Sequence, residues 1–311
     1  MHEYYFANYR LLVDDEISGH ESMRFLSAFR DAMPYNHTFT VRMGEEGLLE
    51  EKYEETLKHR QMYSTDNFAI FDDGNTWSIL RWQNEPALKY HLKYVVTASR
   101  DYGEMVIYMS SAPYYSEKAG IRVKRKPRIP FSSFIRTFCE AGMVMRDGLP
   151  LHASMVEKDG QGLIFLGPSG MGKSTQAKLW VDYQNADFII GDRPGLRCID
   201  GRWYGFGMPW DGKDNIRNQM KVPVRALVSL EQAKENRIER LTERQAVIAL
   251  LNQAMMPMWD DAAMDKVMVL IRKLAVEIPF YHLKNLADEN ATDITYGEIF
   301  GGVWDNGKGF I

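Results

Sequence analysis

The chain has 311 residues, 45% of them hydrophobic, and a formal net charge of −4, a composition typical of a globular protein with a sizeable core. This length favours two domains over one, the net acidity gives no reason to expect nucleic acid, and the only two cysteines form neither a metal spacing nor a disulfide framework. Because the first residues lack a signal-peptide pattern and no apolar run reaches membrane-span length, we predict a cytoplasmic protein without a membrane partner.

Residues 1–128 predict a β-rich first domain. Short alternating runs are separated by turn signals such as Asp72-Asp73-Gly74-Asn75, a pattern typical of hairpins. One helix is expected near residues 21–32 from its apolar spacing. No catalytic motif occurs here, so this domain is a candidate for acceptor recognition. The runs that predict strands are 4–13, 38–43, 68–71, 76–82, 93–97 and 104–109.

A basic stretch covers residues 118–128 and leaves two interpretations open. It is either a solvated edge strand leading into a linker, or a docking surface for an acidic peptide or protein, because clustered cations steer anions. Pro127 and Pro130 indicate a domain boundary there, so we assign the second domain to residues 129–311. The cations are Lys118, Arg122, Lys124, Arg125, Lys126 and Arg128.

The second domain opens with a helix predicted over residues 132–147 and an apolar strand over residues 151–156 that contains His152. Lys158-Asp159-Gly160 turns the chain into the next strand, residues 163–166. Because these strands are hairpin partners, His152 is expected near the loop that follows the second strand. A satisfied core histidine is the alternative.

That loop carries the full phosphate-loop pattern, Gly167-x-x-x-x-Gly172-Lys173-Ser174, and a helix is predicted after it over residues 176–183. Its glycines let backbone N–H groups approach phosphate oxygens, and the helix N-terminus adds a favourable dipole. Lys173 is expected to neutralise the β- and γ-phosphates, and the Ser174 hydroxyl to ligate Mg²⁺. A glycine turn with an incidental lysine is the alternative. The predicted nucleotide-binding residues are Gly167, Ser169, Gly170, Met171, Gly172, Lys173, Ser174 and Thr175.

A third strand, residues 186–190, ends in Gly191-Asp192-Arg193. A carboxylate at this exit, Asp192, is suited to ligate Mg²⁺ or to take the proton of a substrate hydroxyl, unless it only caps its own turn. Arg193 contacts either a phosphate or a neighbouring carboxylate in this interpretation. The glycine-bounded loop over residues 207–215 adds Asp211 and Lys213 as candidates for substrate or phosphate contacts.

The remaining elements alternate between strands and helices. Asp200-Gly201-Arg202 predicts a hairpin between two short strands, and Thr242-x-x-Gln245 is a capping box that opens a helix. The predicted strands are 196–199, 203–207, 224–230 and 278–283, and the predicted helices are 242–256, 260–276 and 288–300.

The segment from His152 to Asp192 resembles the catalytic domain of HPr kinase/phosphorylase, through its His-(x)14-Gly-Pro-Ser-Gly-x-Gly-Lys-Ser spacing. Two further segments are similar to those of HPr-kinase-related proteins, a group that includes lasso-peptide tailoring kinases. They are Gly191-Asp192-Arg193-Pro194 and Gly207-Met208-Pro209-Trp210. The resemblance implies an α/β (α+β) fold with the mixed sheet shared with ATP-type phosphoenolpyruvate carboxykinases.

The same resemblance implies an ATP- and Mg²⁺-dependent kinase that acts on a serine-type hydroxyl of a protein or peptide. It maps His152 and Asp192 to the transferred phosphoryl group, with Lys173 stabilising its charge. HPr kinases have a second aspartate where Arg193 stands, and this favours an alternative, a nucleotide-binding regulatory module without turnover. A small-molecule kinase, with a free amino acid as acceptor, is the third hypothesis. The oligomeric state stays open, a homo-oligomer included.

Overall fold

The structure is a computed structural model that describes residues 1–45, 47–66, 68–83, 92–109, 114–118, 121–125, 131–210 and 215–301. It is a mixed α/β protein with two mixed sheets and helices. Two compact units divide the chain: Met1–Gly142 with Pro257–Asp261, and Met143–Met256 with Ala262–Ile311. The boundary predicted from Pro127 and Pro130 lies outside the described residues and stays a prediction.

The first unit is built on an eight-stranded sheet of order β1-β2-β3-β8-β7-β6-β5-β4. The alternating runs predict most of these strands, but the run over residues 4–13 is a hairpin of two strands, β1 and β2, and β4 was not predicted. β2–β3 and β3–β8 pair in parallel, so the sheet is mixed. β3 can lie parallel to β2 because helical turns separate them along the chain. The strands are β1 (His2–Phe6), β2 (Tyr9–Val13), β3 (His37–Met43), β4 (Arg60–Ser64), β5 (Phe68–Asp72), β6 (Thr76–Gln83), β7 (Leu92–Ser99) and β8 (Glu104–Met109).

The helical segments of this unit are short: α1 (Asp15–Ser18), a 3₁₀ helix (Glu21–Phe29) and α2 (Leu49–Thr56). The helix expected over residues 21–32 is therefore shorter and wound more tightly than predicted. Its buried side chains, Met23, Leu26 and Phe29, recur every third residue, which is the period of a 3₁₀ helix.

A buried polar cluster lies in the core of the first unit. The Tyr102 hydroxyl donates to Asp260 Oδ2 at 2.7 Å, and Trp259 Nε1 donates to the Tyr102 hydroxyl at 3.0 Å. The Tyr102 ring stacks on Trp77 with an interplanar angle of 2°. Burial, reinforced by Asp260, raises the pKa of Tyr102. The Tyr102 hydroxyl therefore has both an acceptor and a donor inside the core, which is what a buried polar group requires.

The basic stretch begins in a two-stranded antiparallel sheet, β9 (Tyr114–Lys118) with β10 (Ile121–Arg125). The side chains of these strands, and residues 126–130, lie outside the described part of the chain. Both interpretations of the stretch stay predictions. The helix that follows, α3 (Phe131–Met145), agrees with the one predicted over residues 132–147, and the division between the units falls within it.

The second unit is built on a nine-stranded sheet in which β13–β17 and β17–β19 are parallel and the other pairs are antiparallel. β12 and β13 form the predicted hairpin, and β14 pairs with β12 on its other side. The strands are β11 (Gly148–Pro150), β12 (Ala153–Lys158), β13 (Gln161–Leu166), β14 (Asp187–Ile190), β15 (Gly195–Ile199), β16 (Arg202–Phe206), β17 (Lys221–Gln232), β18 (Arg237–Arg240) and β19 (Phe280–Asn285).

Four further helices complete this unit: α4 (Lys173–Gln184), α5 (Glu243–Leu251), α6 (Asp261–Glu277) and α7 (Glu289–Phe300). The capping box at Thr242 is confirmed, since its hydroxyl accepts from Gln245 N while the Gln245 side chain accepts from Thr242 N. The helix was expected to reach Met256 but ends at Leu251. The chain beyond it becomes extended, because Met255 N bonds to Pro150 O and Pro257 disfavours helical backbone before it.

Aromatic packing fixes α4 over the sheet. Trp180 is fully buried against Phe165 of β13 and against Tyr296 and Phe300 of α7. Burying a large apolar surface of this kind contributes roughly 1.5–3 kcal/mol to the stability of the native state. This contact holds the axis of α4 in place relative to β13, and so it positions the loop that joins them.

Candidate functional site

The glycine-rich loop, residues 167–172, turns β13 directly into α4. Gly167, Gly170 and Gly172 have φ angles of +153°, +83° and +98°, a region that favours glycine. Gly172 stands at the N-cap of α4, and its carbonyl accepts from Gln176 N at 2.8 Å. The first N–H groups of the helix have no intrahelical partner, so they are available to an anion at this end.

Lys173 is the buried cation of the site, with 8% of its surface exposed. Its Nζ donates to Gly167 O at 2.8 Å and to Pro168 O at 3.2 Å. Burial lowers the pKa of Lys173, and the Coulombic attraction of Asp192 opposes that shift. The ammonium group is thus held beside the first two residues of the loop, with an acid nearby.

His152 and Asp192 form the second part of the site. His152 Nε2 lies 3.1 Å from Asp192 Oδ1, and Arg193 Nε lies 3.6 Å from Oδ2. The hydrogen bond from His152 is the largest cause that lowers the pKa of Asp192; Arg193 and Lys173 add to it, while burial opposes it. The carboxylate is therefore ionised at neutral pH.

Strand pairing explains why these two residues meet. β12 is antiparallel to β14, so the start of β12 lies beside the end of β14, and Ala153 N donates to Asp192 O at 2.8 Å. His152 was expected inside a strand but precedes β12, where its main-chain N donates to Gln253 O at 2.7 Å. Its main chain therefore bonds to the segment after α5, while its side chain contacts Asp192.

The carbonyl of Gly191 joins the loop to the strand end. It accepts from Ser154 Oγ at 2.7 Å and from Ser174 Oγ at 3.4 Å. Ser174 belongs to the first turn of α4, so this contact brings its hydroxyl to the residue next to Asp192. Ser154 was missed in the sequence, although a hydroxyl inside an otherwise apolar strand is a usable signal.

The donor set at this end fits a magnesium ion that arrives with phosphate. Ser174 and Asp192 supply one hydroxyl and one carboxylate, and Mg²⁺ commonly takes one or two protein oxygens beside phosphate and water. Carboxylate oxygens each have two lone pairs, so the bond from His152 leaves Asp192 with acceptor capacity. Across the described ranges, no group of three or more His, Cys, Asp and Glu that could hold a metal ion occurs.

The remaining predicted site residues differ in how accessible they are to a ligand. Ser169, Gly170 and Thr175 are exposed on the loop and the first turn of α4. The Met171 side chain packs against the hydrophobic core, so only its backbone is available to a ligand. Asp211 and Lys213 lie outside the described residues, and their roles stay predictions.

A cavity of about 590 Å³ opens beside the start of the loop, within the second unit. Sequence reasoning missed it, because its walls come from segments far apart in the chain. It is lined by the loop start, the ends of β17 and β19, and α5 with the residues around it, namely His152, Leu166, Gly167, Pro168, Ser229, Leu230, Leu241, Gln245, Ile248, Ala249, Asn252, Gln253 and His282.

Comparison with known proteins adds little to this geometry. No protein-family model matches the chain, and no curated protein matches it. A solved structure of the Hpr(Ser) kinase/phosphatase from Coxiella burnetii is similar at 14% sequence identity, over 49% of this chain and 93% of that one, with a TM-score of 0.26. A likeness at that TM-score carries no argument about fold or function. In the described part of the chain, every helix is too short or too polar to cross a bilayer.

Proposed function

We propose that the chain is a phosphotransferase that uses ATP and Mg²⁺ and acts on a serine-type hydroxyl of a protein or peptide. One observation supports this most directly. A buried ammonium, on Lys173, is held at the start of a glycine-rich loop, and an ionised carboxylate, on Asp192, lies at the neighbouring strand end with His152 bonded to it. Phosphoryl transfer needs little more from a protein than positioning and electrostatic stabilisation.

Lys173 and the loop supply the electrostatic part. The Nζ group gives up little hydration when a polyphosphate arrives, since it is already buried and bonded to carbonyls. The N-terminus of α4 favours the same anion. In the proposed site, Lys173 stabilises charge on the transferred group, and charge-assisted bonds of this kind contribute roughly 1.5–3 kcal/mol each.

Asp192 and His152 supply the positioning part. The acceptor oxygen forms a bond to the γ-phosphorus, the bond from that phosphorus to the bridging oxygen breaks, ADP leaves with the electron pair, and Asp192 takes the hydroxyl proton. A carboxylate with a lowered pKa is a weak base, so its main work is to orient the hydroxyl through a hydrogen bond. His152 holds Oδ1, which fixes the direction of the other oxygen.

Ser174 and Asp192 are the residues that would hold Mg²⁺, and the ion would supply positive charge to neutralise the charge that develops on the transferred phosphoryl group.

The test is calorimetric titration of ATP with Mg²⁺ into the wild type and Lys173→Met. We expect the variant to bind about 10- to 100-fold more weakly, because it lacks a charge-assisted bond. Lys178→Met, an exposed lysine on the same helix, is the matched control and should bind like the wild type. If all three proteins bind ATP with equal affinity, Lys173 and its loop are not the nucleotide-binding site.

A nucleotide-binding module without turnover is the second candidate, and one contact favours it. Arg193 Nε lies 3.6 Å from Asp192 Oδ2, the oxygen that a metal ion or hydroxyl would use. Labelled γ-phosphate separates the two functions. Binding without transfer to any acceptor or to water favours the module, whereas labelled product favours the kinase. The peptide acceptor, a cytoplasmic location and a homo-oligomer stay predictions.

A further inference from the structure

The cavity beside the loop belongs to the end of the site where a terminal phosphate would lie. Gly167 and Pro168 line it, and their carbonyls also hold Lys173 Nζ. The lysine of this loop pattern reaches the β- and γ-phosphates. His152, the partner of Asp192, lines the same cavity. A group that occupies the cavity would therefore stand next to the phosphoryl group and the proton acceptor.

The walls of the cavity are mostly apolar. Leu166 and Leu230, at and near the ends of two parallel strands, are buried residues of its lining. On the side of α5, Ala249 and Ile248 add aliphatic surface, and 53% of Ile248 is exposed. Among the described residues that line the cavity, none is Lys, Arg, Asp or Glu. A neutral, largely apolar occupant fits this lining, since burying an unpaired charge is costly.

The two polar groups at the β17–β19 wall are already engaged. Ser229 Oγ lies 3.0 Å from His282 Nδ1, and His282 Nε2 lies 2.9 Å from Glu231 Oε2. These bonds hold the imidazole of His282 across two parallel strands. It shapes the wall rather than presenting a free ring nitrogen to an occupant.

Gln253 provides an independent sign of a ligand. Only 7% of its surface is exposed, the residue lines the cavity, and its buried Oε1 has no hydrogen-bond partner among the described residues. A buried amide oxygen without a donor is costly, and such groups in native proteins call for an explanation. If the amide turned toward the cavity, this oxygen would accept a main-chain N–H of an acceptor peptide.

We propose that this cavity is the acceptor site, and that it takes an uncharged apolar side chain adjacent to the phosphorylated serine, with a peptide N–H bonded to Gln253 Oε1. The inference deepens the proposed kinase function and rests on it. A volume of about 590 Å³ lies in the range of ligand sites and exceeds the needs of a serine side chain alone. A free amino acid fits less well, because both of its charged termini would require partners.

The first experiment uses heptapeptides with a central serine, an acetylated N-terminus and an amidated C-terminus, whose residues next to the serine are varied. With labelled ATP, wild-type protein should transfer phosphate at least about tenfold faster when the neighbour is Leu, Met or Phe than when it is Asp or Lys, the discrimination of one buried apolar side chain. Equal rates for all neighbours would overturn the proposal, and so would no transfer to any peptide while ATP binds.

Ala249→Trp fills the cavity and should abolish the preference for apolar neighbours while leaving ATP affinity unchanged. Arg244→Trp, at an exposed position of α5 outside the lining, is the matched control and should keep the preference. Gln253→Met removes the buried acceptor and should raise the peptide KM by about 3- to 10-fold, the value of one neutral hydrogen bond. A preference that survives in Ala249→Trp contradicts the assignment.

A nucleotide-independent measurement separates this inference from the proposed function. In protein with labelled alanine methyl groups, N-acetyl-leucinamide should shift the Ala249 resonance, and N-acetyl-lysinamide and N-acetyl-aspartamide should not. If the leucine probe binds and ATP does not, the kinase proposal fails and the cavity remains a site for a neutral apolar group. If ATP binds through Lys173 and no probe shifts the Ala249 methyl resonance, the cavity assignment fails while the kinase proposal stands.

Discussion

The two units are both mixed sheets of similar size, with eight and nine strands, but they bury polar groups in different ways. In the first unit, Asp260 is buried together with the Tyr102 hydroxyl that bonds to it. In the second, Lys173 is buried against main-chain carbonyls, and Gln253 Oε1 is buried without a described partner. The first arrangement completes a core, and the second leaves capacity for a ligand.

The difference teaches how to tell a structural buried acid from a functional one. Asp260 is 6% exposed and lies in an aromatic cluster, where its loss leaves the fold incomplete. Asp192 has 23% of its side chain exposed and lies at a strand end beside a glycine-rich loop. The partners of the two acids and their exposure to solvent therefore separate them. Changing one acid in each unit should therefore affect different properties.

The largest effect is expected at Asp192. Asp192→Asn keeps the shape and the bond to His152 but removes the charge that orients the acceptor hydroxyl, so phosphate transfer should fall about 10²-fold, the lower end of the range for a positioned base. The melting temperature should fall only slightly, through the loss of the stabilising carboxylate charge. The measurement is initial rate with labelled ATP and a serine peptide, at saturating ATP. Turnover within a factor of two of wild type would remove Asp192 from the catalytic step.

Asp260→Ala should have the opposite effect, a loss of stability with little change in activity. The buried Tyr102 hydroxyl loses its acceptor, and we expect a loss of about 2 kcal/mol in the free energy of unfolding. Activity per folded molecule should stay at the wild-type level. Urea unfolding of Asp260→Ala, Tyr102→Phe and the double variant checks the cause. If the two single losses simply add, this hydrogen bond does not account for the effect.

Two glycines of the second unit should respond in opposite directions. Gly297 is exposed inside α7 with open space around it, so Gly297→Ala should stabilise the protein by about 0.5–1 kcal/mol. At Gly207, a Cβ atom would collide with the main-chain oxygen of Asn218, so Gly207→Ala should destabilise it. Thermal unfolding of both variants tests the packing of this unit, and a gain in Gly207→Ala would contradict it.

The smallest expected effect is the acid dependence of Asp192. Its pKa is lowered in the folded state from an ordinary value of 3.8, so the ionised carboxylate stabilises the fold above pH 3.8. That stabilisation is lost as the pH falls through the lowered pKa. The unfolding free energies of wild type and Asp192→Asn should differ at pH 7 and converge below pH 3.8. If the difference in unfolding free energy stays constant across this pH range, it does not come from the charge of Asp192.

Local patterns predicted much of the fold. The capping box at Thr242 opens α5, the pair Asp200-Gly201 turns β15 into β16, and the glycine-rich loop lies between a buried strand and a helix. These features depend on neighbours within a few residues, where dihedral preferences and side-chain caps decide the structure. Short polar elements, such as α2, β4 and β18, were missed because they carry no clear period.

The sequence by itself therefore determined the loop, its lysine, its helix and the strand that ends just before Asp192. Only the tertiary structure decided which residues meet them. Antiparallel pairing of β12 with β14 brings His152 to Asp192. Residues of α5 and Gln253 line the cavity beside the loop. The physical reason is that a motif depends on the backbone preferences of neighbouring residues. A site depends on strand order and on packing between segments far apart in the chain.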